Sequence, residues 1–260
     1  MRLSLWLRSG VIVALGLAGG ACSGGSDPAP THADTRPNII LIQADDLGYG
    51  DLSAYGQTRF STPNLDALAV EGIRFTSYYA GSTVCAPSRA TLMTGQHTGH
   101  TWVRGNGEVP LRAEDTTIAM TLANAGYRTA QIGKWGLGRQ GTPGLPSLKG
   151  FEYNFSVLDH RQAHRQFTEF AHRNDERVPL DVERDYVNDL FTQETLDYIA
   201  QQDDRPFFIY LNYTVPHAEL WPPEGALAKF SGRFDEPRPY VNEAADARRA
   251  GYEDRTLGYR

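Results

Sequence analysis

Cys85 opens the segment Val84-Cys85-Ala86-Pro87-Ser88-Arg89-Ala90-Thr91-Leu92-Met93-Thr94-Gly95, where the residue types could support chemistry on an anion. Pro87 suits the first turn of a helix, Leu92 and Met93 suit packing, and Gly95 suits a stop. The spacing therefore predicts a short helix with Cys85 at its N-terminus. Free backbone N–H groups and the helix dipole at that end favour a thiolate or an oxyanion. Arg89 lies one turn on, on the same side as Cys85. The residues alone describe a reactive cysteine beside an anion-binding arginine. A buried, inert cysteine is the competing reading. A phosphatase-type thiolate would need a longer cradle than the three residues between Cys85 and Arg89, and a Cys–His protease lacks its local context.

Three further groups stand where strands are expected to end. Ile39-Ile40-Leu41-Ile42 is a continuous apolar run of the kind buried on both faces of a sheet, and it runs into Asp45-Asp46. Adjacent carboxylates at the end of a buried strand repel each other without a cation. A second strand, Tyr127 to Ile132, leads into Gly133-Lys134-Trp135, and a third, Phe207 to Leu211, leads to Pro216-His217. Lys134 alone reads as a surface lysine, and His217 as a residue of either kind. His97 and His100 follow the Cys85 helix without the partner set a zinc ion needs. His160 and His164 fall in a polar, irregular stretch after Gly150-Phe151.

Helices should alternate with these strands. Thr62-Pro63 begins one that Gly72 ends, with Leu65, Leu68 and Ala69 as its buried stripe. Ile73 to Tyr79 can then extend as a strand. Asp115-Thr116 should cap a second helix bearing Ile118, Leu122 and Ala125, closed by Gly126. A third runs from about Tyr186 to Ala200, with Val187, Leu190, Phe191 and Tyr198 spaced for burial. The alternation predicts an α/β fold with a mostly parallel central sheet sandwiched by helices. Ligands of open parallel sheets bind beyond the carboxyl ends of the strands. One site could collect Asp45-Asp46, Lys134 and His217.

Bulk properties narrow the function classes. The 260 residues are 40% hydrophobic, enough for one substantial core. Net charge is -6 and the basic residues form no run beyond Arg248-Arg249, which argues against a nucleic-acid surface. An anionic substrate would need positive charge supplied locally. Arg2 and Arg8 flank a leader whose apolar stretch, Val11 to Leu17, is too short to span a bilayer. Residues 1–22 read as a secretory signal ending in a lipobox-like Gly19-Gly20-Ala21-Cys22, with a plain secreted protein as the alternative. Residues 23–36 read as a flexible tether. Export to the periplasm, with membrane attachment only through a lipid on Cys22, is the expectation. Acylation of Cys22 would leave Cys85 as a lone exported cysteine.

Cys85-Ala86-Pro87-Ser88-Arg89 matches the Cys-x-Pro-x-Arg signature of the type I, formylglycine-dependent sulfatases. The resemblance continues in Asp45-Asp46-Leu47-Gly48-Tyr49-Gly50-Asp51, Thr62-Pro63-Asn64-Leu65-Asp66, Gly133-Lys134-Trp135 and Pro216-His217-Ala218-Glu219-Leu220. It implies an alkaline phosphatase-like sheet, with residues 37–260 as the N-terminal part of a catalytic domain. It implies that a maturation enzyme oxidises Cys85 to formylglycine, whose hydrate attacks sulfur. Asp45 and Asp46, with the modified Cys85, would bind a divalent cation, Ca²⁺ by the preference of hard carboxylate oxygens. Arg89 would hold the formylglycine hydroxylate, Lys134 would contact the sulfate, and His217 would protonate the leaving oxygen. His164 would line the substrate side.

Two departures from the pattern stand out. Gly136 occupies the place where many members carry a histidine two residues after the lysine. No Asp-Asn pair follows His217, so the resemblance implies an incomplete metal site and a chain truncated at its C-terminal side. The expected activity is hydrolysis of a sulfated carbohydrate or small aryl sulfate. Alternatives are phosphate or phosphonate ester hydrolysis by the same superfamily, and an inactive, truncated lipoprotein.

Overall fold

A computed structural model describes residues 35–201, 203–217 and 220–234. The leader, Cys22, Ala218, Glu219 and the Arg248–Arg260 stretch lie outside the described residues. A six-stranded sheet forms the centre, in the order β1-β6-β2-β3-β4-β5. Strands β1 (Ile39–Asp45), β6 (Phe207–Pro216), β2 (Arg128–Lys134) and β3 (Tyr153–Val157) are parallel. Strands β4 (Phe170–Arg173) and β5 (Glu176–Pro179) add an antiparallel hairpin. The sheet is thus mixed but mostly parallel, as the alternation of elements predicts.

Side-chain alternation along β6 divides the core into two layers. Phe208 and Tyr210 face one side, with Trp135, Phe151, Ala86, Ala90 and Met93. Phe207, Ile209 and Leu211 face the other, with Ile132, Phe155, Val187, Phe191 and Tyr198. Helices α2 (Cys85–Thr94) and α3 (Ile118–Asn124) contribute to the first layer. Helix α4 (Val187–Ala200) covers the second. Gly95 ends α2 in the left-handed conformation that glycine adopts without penalty, as its place in the sequence suggests.

The structure corrects several expectations. Strand β1 is not buried on both faces: among the described residues it is an edge strand, and Ile40 and Ile42 are 45% and 57% exposed. Helix α1 (Pro63–Glu71) forms where expected, but Leu65 and Leu68 are exposed and it contributes no buried residue. Residues 73–79 form no strand, and Ile73, Phe75, Tyr78 and Tyr79 are exposed. Thr117, not Asp115-Thr116, caps α3: its hydroxyl accepts the Met120 N–H at 3.2 Å. Asp115 instead accepts from Arg112 Nη2 at 2.7 Å. The polar stretch around His160 and His164 includes a short 3-10 turn, Gln162–His164.

Gly133 fixes how β2 delivers Lys134. Its φ is 109°, and a Cβ there would sit inside the contact radius of the Asn212 carbonyl oxygen on β6. Gly133→Ala should therefore destabilise the chain by about 2–5 kcal/mol, combining a left-handed backbone penalty with overpacking against an immobile carbonyl. Urea unfolding would measure this, and an unchanged midpoint would contradict it.

Candidate active site

The sequence singled out three strand ends, and the fold brings their residues together. Asp45 ends β1, Lys134 ends β2, and His217 follows β6. Asp45 is buried between two cations: Arg89 Nη2 donates to its Oδ1 at 3.0 Å and Lys134 Nζ to its Oδ2 at 2.6 Å. Arg89 also donates from Nη1 to the Lys134 carbonyl at 2.8 Å, which ties α2 to the end of β2. Arg89 and Lys134 are fully buried. Burial pushes the Asp45 carboxyl up, but the charges and hydrogen bonds of Arg89 and Lys134 outweigh it and hold the pKa below its usual 3.8. Two cations around one carboxylate leave the cluster with excess positive charge. That meets the need for local positive charge in an acidic chain.

Lys134 is therefore an internal partner of Asp45, not a surface lysine. Asp46, the next residue, adopts a left-handed φ of 64° that is uncommon for a residue with a side chain. Its Oδ2 lies 3.4 Å from His217 Nε2, although the carboxylate itself is largely exposed. The two adjacent aspartates thus diverge: one faces the buried cations and the other faces the histidine.

His217 is stacked on His164, with ring centroids 4.1 Å apart and planes 20° apart. A buried polar network locks the two segments together. Gln166 Oε1 accepts from Thr214 Oγ1 at 2.7 Å and from Asn188 Nδ2 at 2.8 Å, while Asn188 Oδ1 accepts the Thr214 N–H at 3.0 Å. Asn188 belongs to α4 and has this packing role, which its sequence neighbours did not suggest.

Burial first, then the charges of His217 and Lys134, push His164 down from 6.5 to about 4. A histidine whose folded pKa is depressed stabilises the fold above its unfolded pKa and loses that stabilisation as pH falls towards the folded one. Stability should therefore decline as pH falls from 6.5 to about 4. His172, also pushed down by burial and Arg177, adds to the same slope. Thermal unfolding of His164→Phe across this range should show a shallower decline than the parent chain; equal slopes would contradict the assignment.

Cys85 begins α2 and is partly buried. Asn106, which sequence reasoning did not select, lies against it: Nδ2 is 3.3 Å from Sγ, and Oδ1 accepts the Ala86 N–H at 2.9 Å. The backbone carbonyl of Asn106 is 3.3 Å from His160 Nε2. A Cβ on Gly136 would meet His160 Nδ1 at 3.4 Å and Arg89 Cδ at 3.9 Å. His160, buried here, thus occupies space beside the position that lacks the expected histidine. His97 and His100 pair with each other, centroids 6.5 Å apart.

Asp45 and Asp46 are the carboxylates available to a divalent cation. Both Asp45 oxygens are already committed to Arg89 and Lys134. Among the described residues no group of three or more His, Cys, Asp or Glu is placed to hold a metal ion. As arranged, these residues do not fit a divalent cation.

Comparison with known proteins gives the arrangement a context. The family model described as Sulfatase matches residues 37–256. The chain is 33% identical over 249 residues to an arylsulfatase of Klebsiella aerogenes, covering 86% of this chain and 50% of that one. It spans between about a quarter and a half of the length of the curated relatives it matches. A protein solved in complex with its substrate D-glucosamine-2-N,6-O-disulfate is 28% identical, with a TM-score of 0.68 over 78% of this chain and 39% of that chain. The phosphonate monoester hydrolase of Agrobacterium radiobacter is 26% identical, with a TM-score of 0.55 over 73% of this chain and 43% of that chain.

Proposed function

The chain belongs to the sulfatase family, and from that premise we propose that it hydrolyses sulfate esters through a formylglycine made from Cys85. The observation that carries this reading is the convergence of Arg89, Asp45 and Lys134 in one buried cluster, with His217 against Asp46. Maturation converts the Cys85 side chain from CH₂SH to CHO. That two-electron oxidation requires an oxidant brought by a separate maturation enzyme. Sulfur leaves as sulfide, and an oxygen takes its place.

Addition of water to the aldehyde forms two hydroxyls on one carbon. One hydroxyl oxygen forms a bond to the ester sulfur and loses its proton, while the bond from sulfur to the alcohol oxygen breaks. His217, with the Asp46 carboxylate 3.4 Å from its Nε2, gives that oxygen a proton. The excess positive charge at Arg89 and Lys134 attracts the sulfate and stabilises the charge that builds on its oxygens. The second hydroxyl then loses its proton, its oxygen becomes the aldehyde carbonyl, and the carbon–oxygen bond to sulfate breaks. His164, stacked on His217, would line the side where the alcohol portion enters.

A sulfated carbohydrate or small aryl sulfate is the substrate class. The similarity to a protein whose substrate is a sulfated glucosamine supports it. Export and a lipid on Cys22 belong to the same proposal. The phosphonate monoester hydrolase likeness supports a second reading, attack on phosphorus by the same nucleophile. Sulfate release from a nitrophenyl sulfate, compared with alcohol release from a nitrophenyl phosphonate, separates the two. Turnover of neither ester by the chain carrying formylglycine would overturn both.

A further inference from the structure

We propose that Asn106 is a positioning residue for the reactive side chain at residue 85, holding its hydrated aldehyde in place through the carboxamide Nδ2. The inference rests on the formylglycine reading above. Its own basis is the bridge that one carboxamide makes across the start of α2. Oδ1 accepts the Ala86 N–H at 2.9 Å, and only an oxygen can accept there, so the amide orientation is fixed. The other end is then the NH₂ group, presented to Cys85 Sγ at 3.3 Å. That sulfur stands in for the oxygen that replaces it on maturation.

The rest of the loop keeps the amide in place. His160 Nε2 lies 3.3 Å from the Asn106 carbonyl oxygen, which can only accept, so the Nε2 proton is directed at the loop. His160 is itself buried beside Gly136. An N–H facing sulfur makes a weak contact. The same N–H facing a hydroxyl oxygen makes an ordinary hydrogen bond. The placement gains its value only once residue 85 carries oxygen.

Hydration adds water across the carbonyl: a carbon–oxygen bond forms, the carbonyl π bond opens, and one water proton moves to the former carbonyl oxygen. Asn106 Nδ2 donates to one of the two resulting hydroxyl oxygens. The bond favours the hydrate and distinguishes its two hydroxyls, leaving the other to attack.

The test uses the full chain, co-produced with a formylglycine-generating enzyme and labelled with ¹³C at the cysteine β-carbon. Cys22 and Cys85 are the only cysteines, so residue 85 is readily assigned. Carbon-13 spectra give the ratio of hydrate to aldehyde. Asn106→Ala removes both halves of the bridge. Thermal unfolding before and after maturation separates the two halves, since the Ala86 bond is present in both chains and the hydroxyl bond only in the matured one. Asn106→Ala should lower the hydrate-to-aldehyde ratio by about tenfold, the value of one ordinary hydrogen bond, and should lower Tm further in the matured chain than in the unmodified one.

A ratio that falls with the same loss of Tm in both chains would show that the residue only caps the helix, and would overturn the proposal. An unchanged ratio would overturn it equally. A residue-85 carbon that stays a thiol carbon in every sample would instead overturn the formylglycine reading on which it rests.

Discussion

Cys85→Ser is expected to stop the reaction after one transfer, lowering the steady-state rate by on the order of 10⁴-fold or more, the scale seen when a nucleophile is removed. Serine offers a single hydroxyl. It can attack the ester sulfur and release the alcohol, but no second hydroxyl is present to drive collapse to an aldehyde. The expected result is an alcohol burst of at most one equivalent, with sulfate retained on residue 85. Cys85→Ala should give no burst. Continued turnover by Cys85→Ser would show that the nucleophile lies elsewhere. The distinction depends on carbon oxidation level alone, so it does not rely on which groups bind the sulfate.

Asp45→Asn should have the largest effect on stability. Asp45 separates Arg89 and Lys134, both fully buried, and bonds to each. Removing its charge leaves two like charges in a desolvated pocket, a loss of about 3–5 kcal/mol for a buried network deprived of one partner. For a chain of this size that corresponds to a fall of roughly 6–20 °C in Tm. A second substitution, Lys134→Met, removes one of the stranded charges and should recover part of the loss, because neighbours within one network are not additive. Equal stability of Asp45→Asn and the parent chain would contradict the pairing. The pH dependence carries the same information. The Asp45 pKa is held below 3.8, so its stabilisation is present above that value and lost as pH falls further. Asp45→Asn should lack that portion of the acid unfolding.

Much of this organisation was legible because periodicity and caps report burial directly. Strand β2 and helices α2 and α4 follow their apolar patterns to within a residue or two, and β6 begins with its apolar run and continues past it to Pro216. The β4–β5 hairpin did not show itself, since Phe170–Arg173 and Glu176–Pro179 are short and largely polar. Its signal was in the turn: Asn174 and Asp175 both take positive φ, 46° and 69°, residue types that tolerate a primed hairpin turn. Strand β1, helix α1 and residues 73–79 carry apolar residues that expect cover, yet among the described residues those side chains are exposed. Patterning reports that a face should be buried, not what buries it.

The candidate site divides in the same way. Asp45, Arg89, Lys134 and His217 were legible because three of them stand at strand ends and one stands a turn into a helix. Their pairing was not legible. Nothing in the spacing says that Asp45 satisfies two cations or that Asp46 turns away to His217. Asn106 sits in a Gly105-Asn106-Gly107 loop with no periodicity, and its role depends on a contact across 21 positions of sequence. His160 depends on the space left beside Gly136, which only the folded chain defines.

The central claim is that residue 85 becomes a formylglycine. It is tested most directly by peptide mass spectrometry across residue 85, after co-production of the chain with a formylglycine-generating enzyme. The account predicts a peptide with the mass of CHO in place of CH₂SH, which captures an aminooxy probe and is absent from Cys85→Ala. Recovery of unmodified cysteine alone would contradict it.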